Sequence, residues 1–483
     1  MMYHHIEVTA AGQQIPVAPP APVPTNPVVV LGSDLISQFR RRRAFPPGPT
    51  DFDIRRTREF THDPLPILLR LYEQHGPVFS VRILHRRTVF MLGPEANHFV
   101  LVTHPELFHW REGFFGELTP LLGDGLLTID AGYHDRAREI MMPAFHRRQI
   151  EAAASVMAAE TARAIEALRP DEVIDIYEWM RNLAMRIAMR ALLGLDPDDH
   201  GHGAAAAYHF ERALGFYGAE AQMRLLRGPG TPWSRLISSR RVLDAIIFEE
   251  IARRRARPDP DRLDILSLLL GTRDGSGGVL SDQEVHDQVM TLMFAGHDTS
   301  TSTVSFLLYE LARHPHVAQR LRREVDPVLS EKPLSPERLG QLPYLDMVVD
   351  ETLRLYPPAW IGPRRAVRDF QFAGHTVPAD AYVNYCSWAS HRLPEVFPDP
   401  EAFVPERFEP ERKPALPRGG YVPFGGGRRI CIGKRFGQTE VKLVSAMLLA
   451  RYRVELLPGH RMHVRQMPTL SPEGGLPVRV RAR

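Results

Sequence analysis

The stretch Phe424-Gly425-Gly426-Gly427-Arg428-Arg429-Ile430-Cys431-Ile432-Gly433 decides how this chain reads. It sets one cysteine on a glycine-rich loop, close to arginines and just ahead of an apolar helical segment. Backbone N–H groups, a helix N-terminus and cationic side chains each lower a thiol pKa, so a thiolate is expected at Cys431. Such a thiolate can act as a nucleophile, a zinc or cluster ligand, or the axial ligand of a haem iron. The loop alone leaves these chemistries open.

The rest of the composition narrows them. Only two cysteines occur, Cys386 and Cys431, far apart in sequence. That excludes a disulfide framework, and a zinc or iron–sulfur site would need more ligands of this type. Cys386, in a strand-like run, reads as an inert buried thiol, and the chain as cytoplasmic. Basic and acidic residues number 60 and 57, mostly interspersed, and the net charge of +3 makes no general case for nucleic-acid binding. No run of 18 apolar residues occurs, so no transmembrane anchor is expected. Residues 1–44 are rich in Pro and Ala and end in the basic run Arg40-Arg41-Arg42-Arg43. They read as a partly flexible, solvated extension, with weak contact to an anionic membrane as the second reading. Residues 45–483 read as one domain.

The expected architecture is mostly α with small β-sheets. Residues 78–92 read as a hairpin, 94–329 as helices broken at Gly/Pro clusters, and 370–388 and 454–480 as short strands. One helix stands out. Ser281-Asp282-Gln283-Glu284 forms a capping box, and helical sequence then continues to His314, ahead of Pro315. Its centre, Ala295-Gly296-His297-Asp298-Thr299-Ser300-Thr301, consists of poor helix formers apart from Ala295. A weakened centre in a long apolar helix predicts an opened backbone ladder and a functional site.

Together these segments resemble the cytochrome P-450 family of haem-thiolate monooxygenases. The cysteine loop matches Phe-x-x-Gly-x-Arg-x-Cys-x-Gly through Phe424, Gly427, Arg429, Cys431 and Gly433. The helix centre matches Ala/Gly-Gly-x-Asp/Glu-Thr through Ala295, Gly296, Asp298 and Thr299. Glu351 and Arg354 match Glu-x-x-Arg, and Pro405-Glu406-Arg407-Phe408 matches Pro-Glu-Arg-Phe. The resemblance implies a single-domain P-450 fold with Cys431 as axial ligand of haem b, shielded by Phe424. It makes Thr299 and Asp298 the distal pair that handles protons and oxygen, beside the small Ala295. It implies a structural ion-pair network of Glu351, Arg354 and Arg407. For the haem propionates it offers Arg429, His134 and Arg138, and Arg364 in preference to Arg365, which reads as a solvated charge.

The resemblance also points to a pocket for a lipophilic substrate, steroid, terpenoid or fatty-acid-like. Phe294 and Met293 come from the long helix, Trp360 and Ile361 from the loop after Glu-x-x-Arg, and Thr469 and Leu470 from a C-terminal turn. Phe108 and Trp110 belong to the same expectation. No flavin or iron–sulfur motif follows the cysteine loop, so electrons are expected from a ferredoxin or flavodoxin with an NAD(P)H-dependent reductase. Arg136, Arg428, Lys434 and Arg435 would form a basic docking side for such an acidic partner. Two other functions share the motifs: a P-450-fold peroxygenase or isomerase that does not activate O₂, and a non-catalytic haem- or lipid-binding protein.

Overall fold

The computed structural model describes residues 26–39, 45–199, 201–275, 277–331 and 336–483. The arginine run 40–43 and the first 25 residues lie outside the described residues. The helices that position the site are, in chain order, α1 (Pro27–Phe39), α2 (Ala131–Met141), α3 (Ile176–Ala188), α4 (His202–Leu214), α5 (Pro232–Ala256), α6 (Asp282–Arg313), α7 (Pro343–Leu355) and α8 (Lys434–Arg451). The strands of the larger sheet are β1 (Val78–Ile83), β2 (Arg86–Met91), β3 (Phe108–His109), β4 (Ile361–Ala366) and β5 (Tyr382–Cys386). The fold is mostly helical with small sheets, as the sequence predicts.

Helix α6 starts where the capping box places it. Ser281 Oγ accepts from the Glu284 N–H at 3.2 Å, and the Glu284 carboxylate accepts from the Ser281 N–H at 2.8 Å. Its 32 residues span about 48 Å at 1.5 Å per residue. Apolar and polar side chains alike are buried along most of its length, so it is a core helix rather than an amphipathic surface one. The expected opening of its centre does not occur: the helix runs unbroken from Asp282 to Arg313. The hydroxyls of Thr299, Thr301, Thr303 and Ser305 donate to the carbonyls four residues back, at 2.7–2.8 Å. Each hydroxyl is satisfied on carbonyls the helix already presents, so poor helix formers are accommodated without breaking the ladder.

The larger sheet runs β1-β2-β5-β4-β3. β1 and β2 form the expected hairpin, β2 pairs parallel with β5, and the remaining pairs are antiparallel. Register sets Arg364 opposite Val383 and Arg365 opposite Tyr382, so the two arginines face opposite sides of the sheet. The expected C-terminal strands also form: Tyr452–Leu456 and Pro477–Ala482 pair with each other, and Val173–Asp175 adds a third strand. α1 is anchored to the larger sheet. Its buried Asp34 accepts from Arg86 Nε (2.7 Å) and Tyr382 OH (2.7 Å) and meets His85 Nε2 at 3.0 Å. Cys386 ends β5 fully buried, and burial pushes its thiol up to about 12, in keeping with an inert thiol.

The buried centre of α7 holds a bidentate ion pair. Arg354 Nε and Nη2 donate to the two Glu351 oxygens at 2.7 and 2.9 Å. Arg354 also donates to the carbonyls of His391, Pro400 and Ala402, and Arg407 Nε stands 3.4 Å from Glu351. These contacts staple α7 to the meander that leads to the cysteine loop. Burial still lifts the Glu351 carboxyl above its ordinary value against the pull of Arg354. The pair therefore specifies geometry more than it adds net stability. Replacing Glu351 by Gln strands the Arg354 charge and should cost about 3–5 kcal/mol in denaturant unfolding. A loss below 1 kcal/mol would show that the pair is not desolvated as described.

Candidate active site

The cysteine loop is shaped by its glycines. Gly425 and Gly427 adopt φ of +67° and +60°, the left-handed region, and a Cβ at Gly427 would stand 2.2 Å from the Leu101 carbonyl oxygen. The Cys431 N–H donates to the Phe424 carbonyl at 2.9 Å, closing the loop just before α8. Solvent reaches Cys431, yet the chain crowds it on other sides. Burial raises its thiol above the ordinary value, against the Gly433 N–H, Arg138 and Lys434. The expected low pKa is thus reversed, because desolvation outweighs the nearby cations. A reachable thiol of this kind suits a metal, whose own charge deprotonates a coordinating thiol outright.

Beside the loop lies a cluster of buried cations. Arg364 is 2% exposed and its guanidinium carbon sits 3.6 Å from the Trp110 ring centroid; that of Arg429 sits 4.7 Å from the same ring. Burial lowers both arginines to about 10. Arg429 Nη2 donates to the Ile129 carbonyl and to Asp130, each at 2.8 Å, but its Nη1 is buried without a hydrogen bond. Burial would raise the Asp130 carboxyl, but His109, Arg429 and the Trp110 and Arg111 N–H groups hold it at about 2. Burial and Arg429 lower His134 to about 4, so it is a neutral donor rather than a cation. Arg138 is half-buried, within electrostatic reach of both Arg429 and Cys431. Arg365 is not a solvated charge: its side chain is 13% exposed, 4.0 Å from Asp34 and stacked on Tyr382. Strand alternation accounts for the difference between the two arginines.

On α6, only Phe294, Ala295, Gly296 and Thr299 are not buried between positions 285 and 308. Ala295 and Thr299 are four apart and Gly296 and Thr299 three apart, so these positions share a face. A Cβ at Gly296 would find its nearest neighbour, a Leu192 methyl, only at 4.0 Å. A hollow therefore opens against the helix centre. Ser302 Oγ lies 3.4 Å from Thr469 Oγ1, Trp360 Nε1 donates to the Gln466 carbonyl, and the Leu470 N–H donates to the Pro358 carbonyl. These bonds bring the two expected pocket loops together and seat one against α6. Met293, Leu470, Trp360 and Thr469 are buried, while Phe294 and Ile361 keep an accessible surface. Phe108 is buried, its ring packed against Phe99 and Phe370. Trp110 serves as the platform for the two arginines.

Asp298 is 1% exposed. Burial works to raise its carboxyl, but His297 and Arg181 hold it below the ordinary carboxylate range. Next to it, Ser300 Oγ donates at 2.6 Å to Glu440, a fully buried acid on α8. Burial pushes Glu440 up to about 7, against Ser300 and His297. Sequence reasoning missed Arg181, Glu211, Asp130 and Glu440. Glu440 left no trace, since it stands between Thr439 and Val441 with Lys442 two residues on, and the others arrive from distant segments.

A family model described as cytochrome P450 matches residues 54–476. The chain belongs to the cytochrome P450 family. It is 34% identical to cyclooctat-9-en-7-ol 5-monooxygenase of Streptomyces melanosporofaciens, over 80% of this chain and 84% of that protein. It is 33% identical to pentalenene oxygenase of Streptomyces avermitilis, over 85% and 91% respectively. The solved structure of retinoic acid-bound cyanobacterial CYP120A1 superposes with a TM-score of 0.82 at 29% identity, covering 92% of this chain and all of that one. The protein is a cytochrome P450 monooxygenase, a family that works with haem iron. The residues present fit that group: an accessible thiol on the loop, and buried cations with an unpaired N–H where an anionic rim would need donors.

Glu440 gives a test of how dry the α6–α8 contact is. Its raised pKa means that the folded protein binds a proton the unfolded chain has released. The cost is absent at pH 4 and grows as pH rises from about 4.5 through about 7. Glu440→Gln should therefore raise stability by about 3 kcal/mol at pH 8 and by little at pH 4, read from chemical denaturation. Equal effects at both pH values would contradict it.

Proposed function

We propose that this P450 inserts one oxygen atom into a polycyclic terpenoid, using haem b, in the cytoplasm. Electrons would come from a ferredoxin or flavodoxin with its NAD(P)H-dependent reductase. The observation that carries the reading is the single accessible strip on an otherwise buried helix, Phe294, Ala295, Gly296 and Thr299. Small residues leave room there, Phe294 and Ile361 supply apolar surface, and the two relatives named for cyclooctat-9-en-7-ol and pentalenene act on terpenoids. Steroids and fatty acids are the other lipophilic candidates.

In this reading Cys431 ligates the haem iron and Phe424 covers the sulfur, with Gly427 and Gly433 shaping the loop. Arg364, Arg429, Arg138 and His134 would hold the propionates, Arg364 as a buried cation, Arg429 as a part-buried one and His134 as a neutral donor. The haem, when bound, supplies the centre at which O₂ is activated and one of its atoms transferred. Thr299 then works from the strip. Its hydroxyl is anchored on the Ala295 carbonyl at 2.7 Å, so its lone pairs are presented to the hollow at a fixed place. Asp298, kept ionised, links that place to the buried polar network behind the helix. Glu351, Arg354 and Arg407 keep the loop and α7 in register. For the redox partner, exposed Arg435 and partly exposed Lys434 support a basic docking side, beside exposed Arg428 (67%), which stands 3.4 Å from Asp135. Arg136 does not belong to it, since it pairs with Asp274 and Glu284 at 3.2 and 2.8 Å.

Optical titration with cyclic terpenes and terpene alcohols, steroids and fatty acids tests the substrate class; tightest binding by a steroid or fatty acid would overturn it. A reduced carbon monoxide complex without the red-shifted thiolate band would remove Cys431 as ligand. Thr299→Ala should shift NADPH use from product to hydrogen peroxide by about tenfold or more. Full coupling in that variant would favour a peroxygenase or isomerase. Arg364→Gln should lose haem on dilution, whereas Arg365→Gln should keep it and lose about 1 kcal/mol of stability through α1. Equal haem retention would mean that Arg364 does not reach the propionates.

A further inference from the structure

His297 has no role in the reading above, yet it is fully enclosed at the centre of α6. Its Nε2 lies 2.9 Å from Glu211 Oε1 on α4 and 3.1 Å from the Arg181 carbonyl on α3. Its Nδ1 stands 3.2 Å from Asp298 Oδ1, outside hydrogen-bond alignment, so that contact is one of charge. Arg181 completes the cluster. It gives Nε and Nη2 to Glu211 Oε2 at 2.9 and 2.5 Å, and only Nη1 reaches Asp298 Oδ1, at 3.2 Å. Both cations therefore bear on the same carboxylate oxygen. The other, Asp298 Oδ2, is buried without a hydrogen bond. Oδ2 and His297 Nδ1 are the two atoms of the cluster buried without a hydrogen bond, and with the ring charged only the carboxylate oxygen of the two can take up a proton.

We propose that His297 is a positioning residue for the distal pair: as an imidazolium, it fixes Oδ1 of Asp298 together with Arg181 and so presents Oδ2 as the working atom, while Glu211 on α4 keeps the imidazolium charged. The inference rests on the reading of Asp298 and Thr299 as that pair. Its electrostatics are consistent on every side. Burial alone would strip the charge from His297, but Asp298 and Glu211 outweigh it and raise the ring to about 9. The groups facing the cluster are Arg181 and Tyr177 of α3, Glu211 of α4, Asp298 of α6, Glu440 of α8, and Arg465 near the C-terminus, whose Nη2 donates to Tyr177. Arg181 cannot switch, because Asp298 and Glu211 hold it above its already high value. Glu440 ionises on the way, near 7, and adds a negative charge facing the ring; His297 is then the cation of the cluster that discharges as pH rises further. The imidazolium is present below about 9 and lost above it, and Asp298 then loses one of its two cations. Glu211 is 33% exposed, so it can be altered without opening the core.

The test has two arms on the holoenzyme. In histidine-labelled protein, reduced and carbon monoxide-bound, nitrogen NMR should show His297 as imidazolium at pH 7.5 with a midpoint near 9. Glu211→Gln should lower that midpoint by at least one pH unit, and a neutral ring at pH 7.5 would overturn the proposal. In turnover, product formed per NADPH should hold to about pH 8 and fall as His297 discharges. Glu211→Gln should move that fall to lower pH, and His297→Gln should be poorly coupled at every pH with the fall abolished. An alkaline limb unchanged in both variants would also overturn it. If instead Thr299→Ala stays fully coupled while His297 titrates as described, the distal-pair reading fails and the charged cluster stands.

Discussion

A 32-residue helix buried along most of its length must satisfy each of its polar groups without water, and the rest of this structure is arranged around that demand. Four hydroxyls turn back on the helix's own carbonyls. Ser300 reaches Glu440 on α8, Asp298 takes Arg181 from α3, and His297 takes Glu211 from α4. Near its C-terminus, Glu310 accepts from Tyr356 OH at 2.6 Å and pairs with Arg313 and His314. Ser300, Asp298, His297 and Glu310 thereby each fix a neighbour that must lie beside them. The helix sets the positions of α3, α4 and α8 through polar complementarity as well as apolar packing.

Against that background the four unburied positions at its centre carry meaning. A core helix gains nothing by leaving Phe294, Ala295, Gly296 and Thr299 accessible, since a void there forfeits dispersion contacts. The cysteine loop departs from the same economy. Its thiol is reachable but raised by burial, and the arginines beside it are buried with more positive charge than Asp130 alone can answer. Both departures are the features of a site that a planar, anionic-rimmed metal complex would complete.

Much of this was legible in the sequence because it is local. The capping box at Ser281, the hairpin at 78–91, the three-residue spacing of Glu351 and Arg354, and the glycines at 425 and 427 are all decided by residues close in the chain. The opened helix was misread because helix propensity was counted without the back-bonding that Thr and Ser perform in a buried helix. The low thiol pKa was misread because cations were counted without desolvation. Arg365 was misjudged because its partner Asp34 lies about 330 residues away, on a helix the sequence presents as part of a loose extension. Arg181, Glu211 and Asp130 were invisible for the same reason: their roles exist only once distant helices meet.

Charge order across the site follows from these long-range meetings. Behind α6, His297 and Arg181 hold Asp298 ionised, so the acid next to Thr299 does not carry a proton at rest. By the cysteine loop, Asp130 is held ionised as well, while His134 is held neutral by burial and the cation beside it. Asp298, Asp130 and His134 thus have their charge states set in part by neighbours from other segments. Such an arrangement costs stability wherever a charge is buried, as Glu351 and Glu440 show by their raised carboxyls. The fold bears that cost on the helix that faces the hollow and on the two helices, α7 and α8, that flank the loop. Burial there excludes water from groups whose protonation must be controlled, so the site's dryness and its instability have the same origin.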